Sequence, residues 1–302
     1  MLTEKQPHGC YVLATAAYNE EKQIEQTIRC VLSQTVLPLR WFIVSDGSTD
    51  RTDTIIQHYA AQRSFIVYKR LEKTRSGLNK LENTSLAQSR AMALARENLK
   101  DLDYDFLGNL DADITFGSDY FEKIIDKINS DPELGIVGGG AYSVLKDGRP
   151  ASGGFIQPDF VGGPIQFFRR KCLEDIGGYA PYGHSDSVAV FSARMKGWKV
   201  RCFPEIRAYH HGMPGNSIRE KVPICFRLGY MDYIMGALPL FMAGRCAARM
   251  FQRPYILAGI SMFSGYLGAA LKSQKSLLPK DLKEFMQADQ KRKIRDTFLL
   301  RF

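Results

Sequence analysis

A chain of 302 residues with 45% hydrophobic and 24% charged residues suits one large domain with an appendage, and this balance excludes a disordered protein. The net charge of +9 is unevenly placed: residues 1–218 hold 26 Lys or Arg against 26 Asp or Glu, and residues 219–302 hold 15 against 6. A basic tail on a neutral body argues against nucleic-acid binding and for contact with an anionic membrane surface.

The first half alternates short apolar runs with helical patterns, which predicts an α/β fold on a mostly parallel central sheet with flanking helices. Tyr11–Ala16 reads as a buried strand, and Glu21–Leu32 as a helix presenting Ile24, Ile28, Val31 and Leu32 on one face. Trp41–Ser45 reads as a second strand, followed by a helix through Ile55, Ile56 and Tyr59, and Phe65–Tyr68 as a third strand. A helix over Thr84–Leu99 carries Leu86, Ala87, Ala91, Leu94 and Ala95 as its apolar stripe. Strands at Phe106–Leu110 and Ile136–Gly139 flank a helix near Tyr120–Ile128. Beyond them, glycine pairs punctuate short extended segments; Arg169–Ile176 and Val188–Lys196 read as helices and Lys199–Phe203 as a strand. The tail reads as a helix at Arg219–Tyr230, an apolar stretch at Ile234–Leu271 and a charged helix at Pro279–Phe302. The six cysteines form no CxxC pair, and Met1–His8 shows no basic-then-apolar leader, so a reducing, cytoplasmic setting is expected.

Ligands of open α/β sheets gather at the carboxyl ends of the strands. Three acidic clusters fall there: Tyr18-Asn19-Glu20-Glu21, Asp46-Gly47-Ser48-Thr49-Asp50 and Asp111-Ala112-Asp113. At i and i+2 of an extended chain, the carboxylates of Asp111 and Asp113 point to one side, and an all-oxygen pair suits Mg²⁺ or Mn²⁺. Other readings stand beside this one. Asp after a strand is a good helix cap, Asp46 to Asp50 also reads as a turn with a helix cap, which accounts for Gly47 and Ser48 better than for Asp46, and Glu21 suits the first turn of a helix. There is no Walker or dinucleotide glycine loop, so phosphate charge has to be met another way, and a metal on the Asp pair does this.

Taken in this order, the motifs resemble the family 2 glycosyltransferases of the GT-A fold, bacterial-type and inverting. The resemblance continues through Phe168-Arg169-Arg170, Leu173-Glu174-Asp175-Ile176-Gly177-Gly178-Tyr179 and Lys196-Gly197-Trp198, and covers residues 10–212. It implies a nucleotide-sugar donor, with a UDP-sugar as the family default, and a divalent metal, Mn²⁺ or Mg²⁺. Carried over position by position, Tyr18, Glu20 and Asp46 would line the nucleotide-sugar pocket. Asp111 would contact the ribose or the metal, and Asp113 would ligate the metal. His210 would complete the metal shell, the other reading being a loop histidine without a ligand role. Asp186 would be the catalytic base. The chain departs from the pattern at Ser185, where many relatives place Glu before the Asp, and at Ser45, where many have another acid. The expected domains are a catalytic domain over 1–215, with a nucleotide-binding half (10–140) and an acceptor-binding half (141–215), and a helical, basic and apolar region over 216–302.

The activity so implied is transfer of a sugar to a hydroxyl of a glycan or lipid-linked acceptor by single displacement. A non-catalytic nucleotide-sugar-binding relative is one alternative, motivated by Ser185. A nucleotidyltransferase is another, but it would carry a glycine- and basic-rich loop where this chain reads Ala16-Ala17-Tyr18-Asn19. In the tail, Arg245, Arg249 and Arg253 recur at i, i+4 and i+8 and would form one basic stripe on a surface helix, with Lys291-Arg292-Lys293 and Arg295 as a second cluster. Pro254–Leu271 is near the minimum length of a membrane span. The expected placement is peripheral, on the inner face of the cell membrane; a span, or helices packed on protein as in a homo-oligomer, are the alternatives.

Overall fold

Among the described residues, the alternating strands of the first half join two later ones in one eight-stranded sheet. The computed structural model describes residues 9–72, 80–99, 102–144, 149, 157–181, 184–212, 218–252 and 254–299. They belong to two compact units, Met1–Met213 and Pro214–Phe302.

In the first unit, β1 (Tyr11–Ala17) is central and buried on both faces: Tyr11, Leu13 and Ala17 enter one apolar layer, Val12 and Ala14 the other. Parallel to it lie β2 (Arg40–Asp46) and then β3 (Ile66–Leu71) on one side, and β4 (Phe106–Leu110) on the other. With β5 (Ile114–Phe116), β6 (Leu134–Ser143), β7 (Ile165–Arg169) and β8 (Lys199–His210), the order is β3-β2-β1-β4-β7-β6-β8-β5. β7 runs antiparallel to both β4 and β6, β8 runs parallel to β6, and β5 runs antiparallel to β8. The layer on one face includes residues of α1 (Ile24–Leu32), α2 (Thr52–Gln62) and α4 (Tyr120–Asn129). Residues of α3 (Lys80–Glu97), α5 (Arg170–Asp175) and α6 (Ser185–Met195) enter the other. Each fully buried side chain such as Ile28, Phe121 or Leu107 contributes about 1.5–3 kcal/mol by leaving water.

Chain reversal from β3 to β4 creates a switch point beside β1, with the carboxyl ends of β1, β2 and β4 side by side. Three local differences from the sequence expectation bear on this edge. The first helix begins at Ile24, not Glu21, because Asn19 adopts φ 56° and the Glu20 and Glu21 N–H groups bond to Thr52 Oγ1 and Asp50 Oδ2. The segment Ile165–Phe168 is a strand buried on both faces, so it shows no period of two, and Gln166 masks it further. The last strand continues past Phe203 to His210: its register with β6 jumps from Gly139–Phe203 to Gly140–Arg207, and this bulge absorbs Pro204, which has no N–H to donate.

The second unit contains α7 (Ile218–Ile234), α8 (Pro239–Met250), α9 (Tyr255–Leu271) and α10 (Lys280–Leu299). Its core joins Cys225, Ala237, Met242, Cys246, Ala258, Met262 and Tyr266. α7 and α9 approach so closely that a Cβ on Gly229 would strike the Met262 carbonyl, and one on Gly265 the Phe226 carbonyl. The expected arginine stripe is exposed at Arg245 and half-buried at Arg249, with part of its charge met inside the unit. Arg245 donates to Asp232 at 2.6 Å, Arg249 donates to Gln252 at 2.9 Å, and Arg253 lies outside the described residues. In α10, Arg292 and Lys293 both pair with Asp289. Among the described residues, no helix is long and apolar enough to cross a membrane.

Candidate active site

The loops after β1 and β2 are laced together by small polar side chains. Thr49 N–H donates to Asn19 Oδ1 at 2.8 Å, Asn19 N–H to Ser48 Oγ at 3.2 Å, and Ser45 Oγ lies 3.1 Å from Ser48 Oγ. Ser45, where the resemblance leads to the expectation of an acid, is thus a buried structural hydroxyl. Asp46 ends β2, is buried, and accepts from the Arg90 guanidinium of α3 at 3.0 Å. Tyr18 is exposed. Glu21 is occupied by Arg51, whose N–H and Nε donate to Oε2 at 3.2 and 3.4 Å.

Asp111, Asp113 and His210 form a second group. Their ligand atoms all lie within 4.8 Å of one another, although His210 is 97 positions from Asp113 in sequence. The antiparallel pairing of β5 with β8 sets Ile114 opposite His210 and brings the imidazole Nε2 to 3.0 Å from Asp113 Oδ2. The neighbouring His211 turns the other way, 2.8 Å from Thr115 Oγ1. Asp111 accepts from the Gln88 amide at 2.6 Å. Removal from water, then the charge of Asp113, pushes the Asp111 carboxyl up to about 7, against the opposing influence of His210. Burial works against the charged form of His210, but the bond to Asp113 and the charges of Asp113, Asp111 and Glu20 outweigh it and hold the imidazole above its ordinary value. Two crowded carboxylates and an imidazole, whose buried Nδ1 has no hydrogen-bond partner among the described residues, make a donor set that fits a divalent cation. Gly212 belongs to the same packing, since a Cβ there would strike Asp113 Oδ2.

A proton on Asp111 or His210 competes with a metal for the same atoms. Apparent affinity for Mn²⁺ is therefore expected to be highest above pH 7 and to fall as pH drops through about 7, where Asp111 takes up its proton. Titrations at pH 6 and 8 test this; equal affinities would rule the group out as the metal site.

Asp186, in the first turn of α6, is bonded to the same sheet edge. Its Oδ2 accepts the Gly163 N–H at 3.1 Å and its main-chain carbonyl accepts Gln166 Nε2 at 3.2 Å. The same segment holds β4, through Asn109 Nδ2 to the Gly163 carbonyl at 2.7 Å and Asp111 N–H to the Pro164 carbonyl at 2.9 Å. Residues 163–166 thus join Asp186 to the Asp111 strand, and the charge of Asp186 is felt at Asp111. Ser185 is wholly buried, 2.6 Å from Ser89 Oγ, and donates to the Ala180 carbonyl at 3.1 Å.

The structure adds residues that sequence reasoning passed over. Gln88, Ser89 and Arg90 are consecutive on α3 and reach Asp111, Ser185 and Asp46 respectively. They fall between Ala87 and Ala91 of the apolar stripe, and three different polar types in a row there are the signal the sequence carries. Arg169 and Arg170, in contrast, are used internally. Arg169 donates to the Leu134 and Ile128 carbonyls, while Arg170 stacks on Tyr104 and pairs with Glu174.

This strand order, with acidic groups at the switch point, is that of a GT-A fold. The sequence profile of glycosyl transferase family 2 matches residues 13–182, more than half of the chain, and the protein belongs to that family. The poly-beta-1,6-N-acetyl-D-glucosamine synthase of Staphylococcus aureus is 22% identical over 210 residues, 63% of this chain and 47% of that protein. Its Staphylococcus epidermidis counterpart is 23% identical over 208 residues, 62% and 45% of the two chains. The chain thus spans about half the length of these curated relatives. Among solved structures, the mannosyltransferase PcManGT from Pyrobaculum calidifontis, in complex with GDP-Man and Mn²⁺, superposes with a TM-score of 0.54 at 16% identity, covering 91% of this chain and 77% of that one. TarS of S. aureus in complex with UDP-GlcNAc gives 0.51 at 14% identity, covering 88% and 73%.

Proposed function

We propose that this chain is a metal-dependent inverting glycosyltransferase that moves a sugar from a nucleotide donor to a hydroxyl of an envelope glycan or lipid-linked acceptor. The observation that carries this reading is the convergence of Asp46, the Asp111–Asp113–His210 group and Asp186 on one sheet edge, joined through α3 and residues 163–166. Asp46, with Arg90, Tyr18 and Glu20, binds the nucleotide part of the donor. Asp111 and Asp113, with His210, hold Mn²⁺ or Mg²⁺. When bound, the cation supplies neutralisation of the charge that develops on the leaving diphosphate. Asp186 accepts the proton of the attacking hydroxyl, and attack opposite the diphosphate inverts the anomeric carbon in one displacement.

The donor complexes of the structural neighbours, with UDP-GlcNAc and with GDP-Man, make these two nucleotide sugars the first to test. A thermal-shift screen of both, with and without Mn²⁺, is expected to show stabilisation by one donor that is larger with the metal. No stabilisation by any nucleotide sugar in either condition would overturn the reading. The enzyme is further proposed to act at the cytoplasmic face of the membrane, held peripherally by its basic C-terminal unit.

A further inference from the structure

The outward face of α9 is built unlike the surface of a water-soluble helix. Its inner face, with Ala258, Gly259, Met262, Gly265, Tyr266 and Ala269, is buried in the second unit. That packing is specific: Tyr266 OH donates to the Ala237 carbonyl at 2.8 Å and Ser261 Oγ to the Val222 carbonyl at 2.7 Å. On the opposite side, Ile256, Ile260, Phe263, Leu267 and Leu271 recur at spacings of four, three, four and four, which is one helical stripe. All five are 45–79% exposed, and the exposed Ser264 is the polar residue beside them. A surface helix in water carries charged residues on this face. α9 is apolar on both.

Charge indicates what covers the stripe. From Tyr233 to Lys280 there is no Asp or Glu, against six Lys or Arg; Arg245 is paired with Asp232 and Lys280 lies 3.9 Å from Glu284, which leaves Arg249, Lys272 and Lys275 as the described cations of this stretch without a carboxylate. Lys272 and Lys275, just beyond the end of the stripe, are exposed and pair with no carboxylate among the described residues. A second copy of this face would bring the same uncompensated positive charge against itself, whereas an anionic lipid surface complements both the charge and the apolar stripe. Spanning does not suit α9, because 17 helical residues cover about 25 Å of a hydrocarbon core about 30 Å thick.

We propose that α9 lies in the plane of an anionic membrane, its Ile256–Leu271 stripe sunk to the acyl boundary and Lys272 and Lys275 at the phosphate level. This deepens the peripheral-membrane part of the proposed function and rests on it, but it assigns the contact to α9 and not to the arginine-bearing α8. Flotation of the full chain with phosphatidylcholine vesicles, with and without phosphatidylglycerol, tests it alongside two variants, Ile260→Asp/Leu267→Asp and Phe263→Trp. Wild type is expected to float with the anionic vesicles, and the double variant to bind about tenfold more weakly or worse. In the Phe263→Trp variant, vesicle binding should shift the fluorescence to the blue, and lipids brominated near the headgroup should quench it. Both variants alter exposed positions, so unchanged far-UV dichroism and melting temperature establish that folding is intact. If wild type floats, the double variant floats equally and the fluorescence of Phe263→Trp does not move, the α9 assignment is lost while membrane binding stands. If wild type fails to float at low salt, both are lost. A wild-type dimer that the double variant dissolves, with no vesicle binding by either, would assign the stripe to a copy–copy interface and overturn the proposal. None of these assays involves donor or acceptor, so the transferase reading is tested separately.

Discussion

Replacing Asp186 by Asn is expected to lower sugar transfer by about 10²–10⁴-fold and to leave donor binding in place. Oδ2 of Asp186 accepts the Gly163 N–H at 3.1 Å and Oδ1 the Ser187 N–H at 2.7 Å; an Asn carbonyl oxygen can keep the first, so the join between α6 and residues 163–166 survives while the Ser187 N–H loses its side-chain acceptor. The Gln166 bond to the main-chain carbonyl is also indifferent to the change. What disappears is a carboxylate able to take the proton of the acceptor hydroxyl. Initial rates over a range of donor concentrations, with calorimetric donor titration, separate the two effects: kcat should fall and the donor Kd should stay. A variant that turns over like wild type would remove Asp186 from the chemistry. A wild type that binds donor and transfers to no hydroxyl would favour the non-catalytic relative.

Asp113→Asn is expected to raise the metal concentration for half-maximal activity by about 100-fold or more. The same change has an opposite signature in stability. With chelator present, two crowded carboxylates cost the fold some stability, because the Asp113 charge helps push Asp111 up to about 7. Removing that charge offsets the lost bond to His210, so the melting temperature in chelator should change little. The increase in melting temperature that Mn²⁺ gives the wild type should vanish. Loss of activity together with a large drop in chelator stability would mark Asp113 as a structural residue and not a ligand.

Much of the first unit is legible along the chain. Apolar runs near Tyr11, Trp41 and Phe106 become β1, β2 and β4, and the polar residues just after them stand at the switch point. These strands are buried on both faces and connected by helices, so local composition alone marks them. β7 is hidden because a polar Gln166 sits inside it, satisfied by the Val161 carbonyl and the hydroxyl of Tyr179, partners that no window of sequence reveals. His210 is nominated by the resemblance alone. Its place depends on a strand passing Pro204 through a bulge, and its partner is 97 positions away. Ser185 stands out, in sequence, as a departure from the family pattern; its hydroxyl is spent inside the domain on Ser89 and Ala180.

The second unit divides in the same way. Its excess of Lys and Arg, and the scarcity of acids within it, are properties of composition that folding cannot alter. Helical spacing also shows that Arg245 and Arg249 share a face. Only the tertiary structure decides that Arg245 is paired with Asp232, and that of the two apolar faces of α9 one is buried and the other left outside. Residue type and period depend on near neighbours and can be read along the chain. Which of two apolar faces meets protein, and which of several carboxylates meet one another, depends on contacts between distant segments, and those exist only once the chain has folded.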